Sequence, residues 1–137
     1  MANEAVLVQD LEYRHLEVTM ADGSSGTDVV LGTVLKWSDA NTGAASSADG
    51  DIFCGILLAD NEGGDGTVRY SVDRHSVWDI KLTTATVSTG DILNIQGTNL
   101  FAKANVTTAA DFAEHACVAM QDGANDEVIE ALFGING

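Results

Sequence analysis

The side chains best suited to chemistry in this 137-residue chain are two cysteines and three histidines, and none of them stands in a catalytic or metal-binding pattern. Cys54 and Cys117 lie in apolar runs without Cys-x-x-Cys spacing, which predicts buried, reduced thiols. His15, His75 and His115 are far apart and form neither His-x-His nor His-Glu-x-x-His. We therefore predict that these five residues supply no catalytic group and no metal site.

Two further groups of residues have types that suit ion or phosphate binding. Asp73, His75 and Asp79 could hold a cation on one side of a hairpin, although a solvated turn explains the same residues. Residues 63–66, Gly-Gly-Asp-Gly, resemble a phosphate-binding loop, but their acidic surroundings and the lack of lysine predict repulsion of phosphate. No serine stands in Gly-x-Ser-x-Gly, and no two acids are placed as acid and base. The sequence thus predicts a protein that is not an enzyme and has no cofactor.

Charge is the strongest compositional signal, because 21 acidic residues against 6 lysines and arginines leave a net charge of −15. Such a surface repels phosphate backbones and anionic lipids, so we expect neither nucleic acid nor membrane as a partner. The acids are scattered, which favours solubility over metal binding as their role. Residues 1–4 lack the basic start of a signal peptide, so synthesis in the cytoplasm is expected.

The strand pattern is clearest in residues 51–80, which predict three short strands joined by two turns. Residues 52–59 form an apolar run of the length of a strand that is buried on both faces. Residues 60–66 are polar and rich in glycine, so the chain must reverse there. Branched and aromatic side chains then predict strands in residues 67–72 and 76–83.

This pattern recurs about 60 residues later in the chain, which predicts two similar strand units. Matches this short also arise by chance in β proteins, but the order of strand, loop, buried strand and acidic turn is the same in each copy. We predict a mainly β fold, a small barrel or sandwich of the two units. The matching segments are 29–35 with 87–93, 55–60 with 117–122, and 67–70 with 127–130, at offsets of 58, 62 and 60 residues.

One short helix and a terminal edge strand complete the predicted body. Thr107 or Thr108 can cap a helical turn that reaches residue 114, and Asp111 stands three residues after Thr108, as in a capping box. Residues 131–135 are apolar and predict an edge strand.

The N-terminal residues 1–27 are predicted to form an extended arm and a flexible linker, before a single domain in residues 28–137. Residues 21–27 are small and polar, as expected of a linker. Two alternating apolar runs precede them, and their phase slips near His15. The arm could add a strand to another protein, or the segment could be an ordinary first strand, and the sequence supports these two interpretations nearly equally. The apolar side chains concerned are Leu11, Tyr13, Leu16, Val18 and Met20.

Short motifs along the chain resemble a family of phage proteins. One group of motifs resembles the central hairpin of the lambda-type bacteriophage head decoration proteins, which cement mature capsids. The group consists of residues 49–50, 54–59 and 67–71 and a following aromatic strand at Trp78. Residues 34–39 resemble the strand before that family's small-residue loop. Residues 90–93, Gly-Asp-Ile-Leu, are similar to a signature of related cement proteins. The resemblance covers about residues 28–133.

The resemblance implies a structural virion protein on the outer surface of an icosahedral phage capsid. It implies a homotrimer that ties neighbouring major capsid proteins together, with the N-terminal arm as the capsid-binding segment. The central hairpin would then supply trimer contacts or core through Ile56, Leu58, Val68, Tyr70 and Trp78. The sequence departs from the family in having no proline and a more apolar first twenty residues.

The main alternative is a carbohydrate- or receptor-binding β module of a phage tail or fibre, with a small hydrolase a distant third. Sugar binding needs exposed, coplanar rings. The chain offers few of them, namely Tyr13, Trp37, Tyr70 and Trp78.

Overall fold

The structure is a computed structural model that describes residues 3–10, 16–20, 29–60, 69–104 and 114–134. In these ranges the chain forms strands and turns, with no helix. The strands are β1 (Val6–Asp10), β2 (Leu16–Met20), β3 (Val34–Asp39), β4 (Thr42–Ala45), β5 (Phe53–Leu57), β6 (Arg69–Asp73), β7 (Ser76–Leu82), β8 (Ile92–Gly97), β9 (Leu100–Lys103), β10 (His115–Ala119) and β11 (Val128–Phe133).

The strands close two small barrels of five strands each. The first barrel has the order β2-β4-β3-β5-β6, and β6 pairs with β2 to close it. The second has the order β7-β11-β10-β8-β9, and β9 pairs with β7. In each barrel one pairing is parallel, β2 with β4 and β7 with β9, and the others are antiparallel. The predicted mainly β class is confirmed, but the two units form two barrels rather than sharing one.

The two barrels are built alike, as the recurring sequence pattern predicts. The amide of Gly32 donates to the carbonyl of Leu57 at 2.8 Å, and the amide of Gly90 donates to the carbonyl of Ala119 at the same distance. These bonds are related by the offsets of 58 and 62 residues seen in the sequence. Both glycines have φ near +90°, a conformation that favours glycine. The repeat is therefore present in backbone conformation as well as in strand order.

Strand β5 is buried on both faces, as predicted from its apolar run. Cys54 and Leu57 lie in the core of the first barrel, while Phe53 and Ile56 pack in the cluster that fills the second barrel. A bulge opposite β3 shifts the alternation of side chains within the strand. One strand thus contributes to both cores.

Aromatic packing and buried hydrogen bonds, among them one between Val34 and Asn99, join the barrels. The ring centroids of Phe53 and Phe133 are 5.1 Å apart, and those of Phe101 and Phe133 are 5.9 Å apart in an edge-to-face arrangement. The backbone amide of Val34 donates to Oδ1 of Asn99 at 2.8 Å. Asn99 is 1% exposed, so this bond is shielded from water.

The connection from β6 to β7 crosses from one barrel to the other around a buried carboxylate. Asp73 is 1% exposed and accepts a hydrogen bond from Nε1 of Trp78 at 3.0 Å. It also accepts one from the backbone amide of His75 at 3.0 Å. A buried carboxylate needs such partners, so these two bonds hold the crossover in place.

Strand β1 lies outside both rings and adds to the edge of β7. It pairs antiparallel with β7, with Val6 opposite Asp79 and Leu7 opposite Trp78. The backbone amide of Ala5 donates to the carbonyl of Gly32 at 2.7 Å, so the segment also contacts the first barrel. Residues 3–10 therefore bridge the two barrels.

Two predictions about secondary structure, a short helix and a terminal edge strand, are not confirmed. The predicted short helix is not borne out, because residue 114 lies in a turn and residues 105–113 are outside the described part of the chain. Strand β11 is not an edge strand, because closure of the second barrel places it between β7 and β10.

Candidate interaction surface

Both cysteines are free and fully buried, one in each barrel. Burial raises the pKa of the Cys54 thiol to about 12, against a usual value of 9.0. Burial also raises the pKa of Cys117. A thiolate is the reactive form, so neither side chain is a nucleophile near neutral pH. The structure thus places both thiols where the sequence predicts them, buried and without a disulfide partner.

We expect the free energy of unfolding to fall as the pH rises from about 9 towards 12. The unfolded thiols lose their protons near pH 9, whereas the folded thiols keep theirs, so alkali favours the unfolded chain. Each thiol should contribute a slope of about 1.4 kcal/mol per pH unit in this window. Denaturant titrations at several pH values measure it.

The variant Cys54→Ala tests the assignment by removing one of the two thiols. Alanine is chosen because it stands at the equivalent position of the second barrel, Ala116. It should lower the alkaline slope by about 1.4 kcal/mol per pH unit, the contribution of one thiol, and leave the contribution of Cys117. A thiol reagent should count two groups in the unfolded, unreduced wild type. An unchanged slope in Cys54→Ala, or no free thiol, would contradict the assignment.

The structure does not form the cation site considered above for Asp73, His75 and Asp79. The Asp73 carboxylate is buried and bonded to Trp78, while Asp79 lies in β7 opposite Val6. Within the described ranges, no group of three His, Cys, Asp or Glu side chains could hold a metal ion. Residues 63–66 and His15 lie outside those ranges. The same part of the chain contains no helix with the length and apolar character needed to cross a membrane.

The predicted capsid-binding side chains are divided between core and surface. Leu11 and Tyr13 lie outside the described residues. Val18 and Met20 are 1% and 2% exposed in the core of the first barrel, and only Leu16, at the start of β2, is substantially exposed. Residues 16–20 thus form an integral barrel strand, which is the second of the two interpretations of this segment.

The predicted hairpin residues belong to the two cores. Ile56 and Trp78 are fully buried in the cluster that fills the second barrel, and Leu58 packs against that cluster. Tyr70 lies in the first core, and Val68 is outside the described residues. The described members of this set stabilise the fold within one chain.

An exposed apolar strand edge is the feature best suited to binding another protein. Val6, Leu7 and Val8 of β1 are 58%, 39% and 44% exposed. Leu31, next to the Gly32 carbonyl that accepts from Ala5, is also exposed. One edge of β1 pairs with β7, and on the other edge the described residues place no strand. We call these four side chains and the open edge the β1 surface.

Sequence reasoning missed the β1 surface although the signal was available. Residues 6–8 are three consecutive apolar residues, which an edge strand cannot bury on a single side. The prediction of capsid-binding side chains relied instead on the alternating apolar runs later in the segment, at Leu11 and in β2. Pairing with β7, 70 residues away, is what places β1 at an edge.

Comparison with known proteins gives no family assignment. No protein-family model matches the chain, and no curated protein matches it either.

Proposed function

We propose that the protein is a structural component of a bacteriophage virion, a decoration protein that binds the outer surface of the capsid as a homotrimer and cements neighbouring major capsid proteins. The motif resemblance described above motivates the proposal, and the chain is not an enzyme in this interpretation. Synthesis would take place in the host cytoplasm before assembly on the shell.

The observation that carries the proposal is the β1 surface. An open strand edge supplies backbone donors and acceptors, and its exposed side chains supply apolar contacts, which together suit addition of a strand from a partner. Within the N-terminal segment predicted to bind the capsid, we assign this role to β1 rather than to β2, because Val18 and Met20 of β2 are buried. A compact body that presents one such edge suits a protein that binds a preformed shell.

The charge distribution supports a partner other than nucleic acid or membrane. Among the described residues, three basic side chains are paired with acids, Lys36 with Asp51, Arg69 with Glu17 and Lys103 with Asp91, at 3.5 to 3.7 Å. Because the chain has 21 acids and only 6 lysines and arginines, these pairs leave most of the negative charge uncompensated. That charge would keep decorated particles apart from one another and from DNA.

The sugar-binding alternative finds no support in the described residues. Trp78 is fully buried, Tyr70 is 9% exposed, and Trp37 packs against the first core. These rings do not offer an exposed stacking platform. Tyr13 lies outside the described part of the chain.

The test mixes the protein with expanded, undecorated capsids and counts bound copies by electron microscopy and co-sedimentation. The double variant Val6→Asp, Val8→Asp should bind at least about tenfold more weakly, because carboxylates on the open edge oppose strand addition. The control is Val128→Asp, which changes a 60% exposed valine on β11. Binding that is undiminished in the double variant, or absent in the wild type, would contradict the proposal. A capsid map with isolated single copies would contradict the trimer.

A further inference from the structure

In the described part of the chain, one face of the second barrel lacks the cover that the equivalent face of the first barrel has. In the first barrel, Val34 pairs with Ile56 across β3 and β5, and both are fully buried against the second barrel. In the second barrel, the equivalent pair is Ile92 and Val118 across β8 and β10. These two side chains are only half-buried. The internal contact thus identifies what kind of surface fits this face, namely the end of a barrel of the same construction.

The opposite barrel end shows the complementary difference. Asn99, in the turn between β8 and β9, has φ of 57° and binds the Val34 amide in a buried contact. Its equivalent is Asn41, in the turn between β3 and β4, which has φ of 54° and is exposed. The strand that follows each turn, β9 or β4, pairs with β7 or β2 respectively. Trp78 of β7 is fully buried, whereas its equivalent in β2, Leu16, is 38% exposed. The first barrel therefore presents at its surface the positions that the second barrel buries.

We infer that a second copy of this chain docks here, head to tail, with the Asn41 turn and Leu16 of one copy against the Ile92–Val118 face of the next. The contact reuses the arrangement by which the two barrels pack within one chain. A head-to-tail contact either closes into a ring or extends as a filament, and a ring of three copies would present six similar barrels. The inference deepens the proposed function by naming the surface that joins its subunits.

The contact between copies is weaker than the contact within the chain. Inside the chain, the Ser46 hydroxyl donates to the Gly97 carbonyl at 3.1 Å and accepts from the Asn99 amide at 3.0 Å. Alanine stands at the equivalent position of the second barrel, Ala104, so those two bonds have no counterpart. His115 likewise replaces Phe53. The net charge of −15 also opposes association, so high salt should favour it.

Disulfide trapping between two single variants tests the inference. Asn41→Cys protein is mixed with Ile92→Cys protein at high salt under mild oxidation, and the mixed dimer is quantified on a non-reducing gel. The two native thiols are buried, so background crosslinking should be small. Crosslinking should be at least about tenfold faster than between Asn41→Cys and Val128→Cys, because docking raises the effective concentration of the paired thiols.

Two further measurements separate the surface from nonspecific contact. Adding Val118→Glu to the Ile92→Cys protein should slow the mixed crosslink to the rate of the Val128→Cys control. Sedimentation of wild-type protein in rising salt should show larger species, and Val118→Glu should abolish them. Equal crosslinking rates for the Ile92→Cys and Val128→Cys proteins, or association unaffected by Val118→Glu, would overturn the inference. Capsid binding is measured independently, so association without capsid binding would contradict the proposed function alone.

Discussion

Replacing Phe133 by alanine is expected to lower the free energy of unfolding by about 3–5 kcal/mol, the range for loss of a buried aromatic side chain. Phe133 is 2% exposed and contacts rings from both barrels, Phe53 and Phe101. Its loss opens a cavity where β5 meets the second core. Chemical denaturation of the purified variants measures the effect.

A double-mutant cycle isolates the contact between the barrels. Phe53→Ala and the double variant complete the cycle, and the coupling between the two rings should be about 0.5–1.5 kcal/mol. Val128→Ala is the control, because this valine is exposed and its loss should change stability by less than about 0.5 kcal/mol. A Phe133→Ala cost below about 1 kcal/mol, or no coupling with Phe53, would show that the barrels do not share a core.

The second large effect distinguishes two glycines with the same backbone conformation. Gly32 and Gly90 occupy equivalent turns with φ of +90° and +91°. A Cβ at Gly32 would overlap the carbonyl oxygen of Ala5, whereas at Gly90 nothing lies within 4 Å. Gly90→Ala should therefore cost about 1–2 kcal/mol of backbone strain alone. Gly32→Ala should cost roughly 1–3 kcal/mol more, the range for overpacking.

The excess cost should be located at β1. Hydrogen exchange should show faster exchange of the Ala5 amide and the β1 amides in Gly32→Ala, and no such change in Gly90→Ala. If the two variants have the same stability and the same exchange in β1, then the contact between Ala5 and Gly32 does not hold β1 in place.

The strands and their repetition could be predicted from the sequence because each carries a local signal. The branched and aromatic residues of β6 and β7, the polar turns and the recurring glycines act over a few residues. The burial of β5 on both faces followed from its apolar run, which only Gly55 interrupts.

Closure into two barrels could not be predicted in the same way. It depends on short parallel pairings, such as Thr19 with Thr42 and Lys81 with Leu100, that join strands distant in sequence. The alternation of Leu16, Val18 and Met20 is the same in a free arm and in a barrel strand, so only the pairing partner distinguishes them. For the same reason the sequence did not show which apolar N-terminal residues remain at the surface.

The position of β1 has a consequence for synthesis on the ribosome. Every strand of the first barrel lies within residues 16–73, so that barrel can close while the rest of the chain is still being translated. Strand β1 emerges before it but pairs with β7, about 70 residues later, which at 5–20 residues per second means a delay of roughly 4–14 s. During that interval β1 is an apolar strand with both edges open, and the first barrel closes only near its end, because β6 ends at Asp73 and β7 begins at Ser76. Nascent chains on one polysome would therefore be at greatest risk of pairing with each other through β1, before β7 is made.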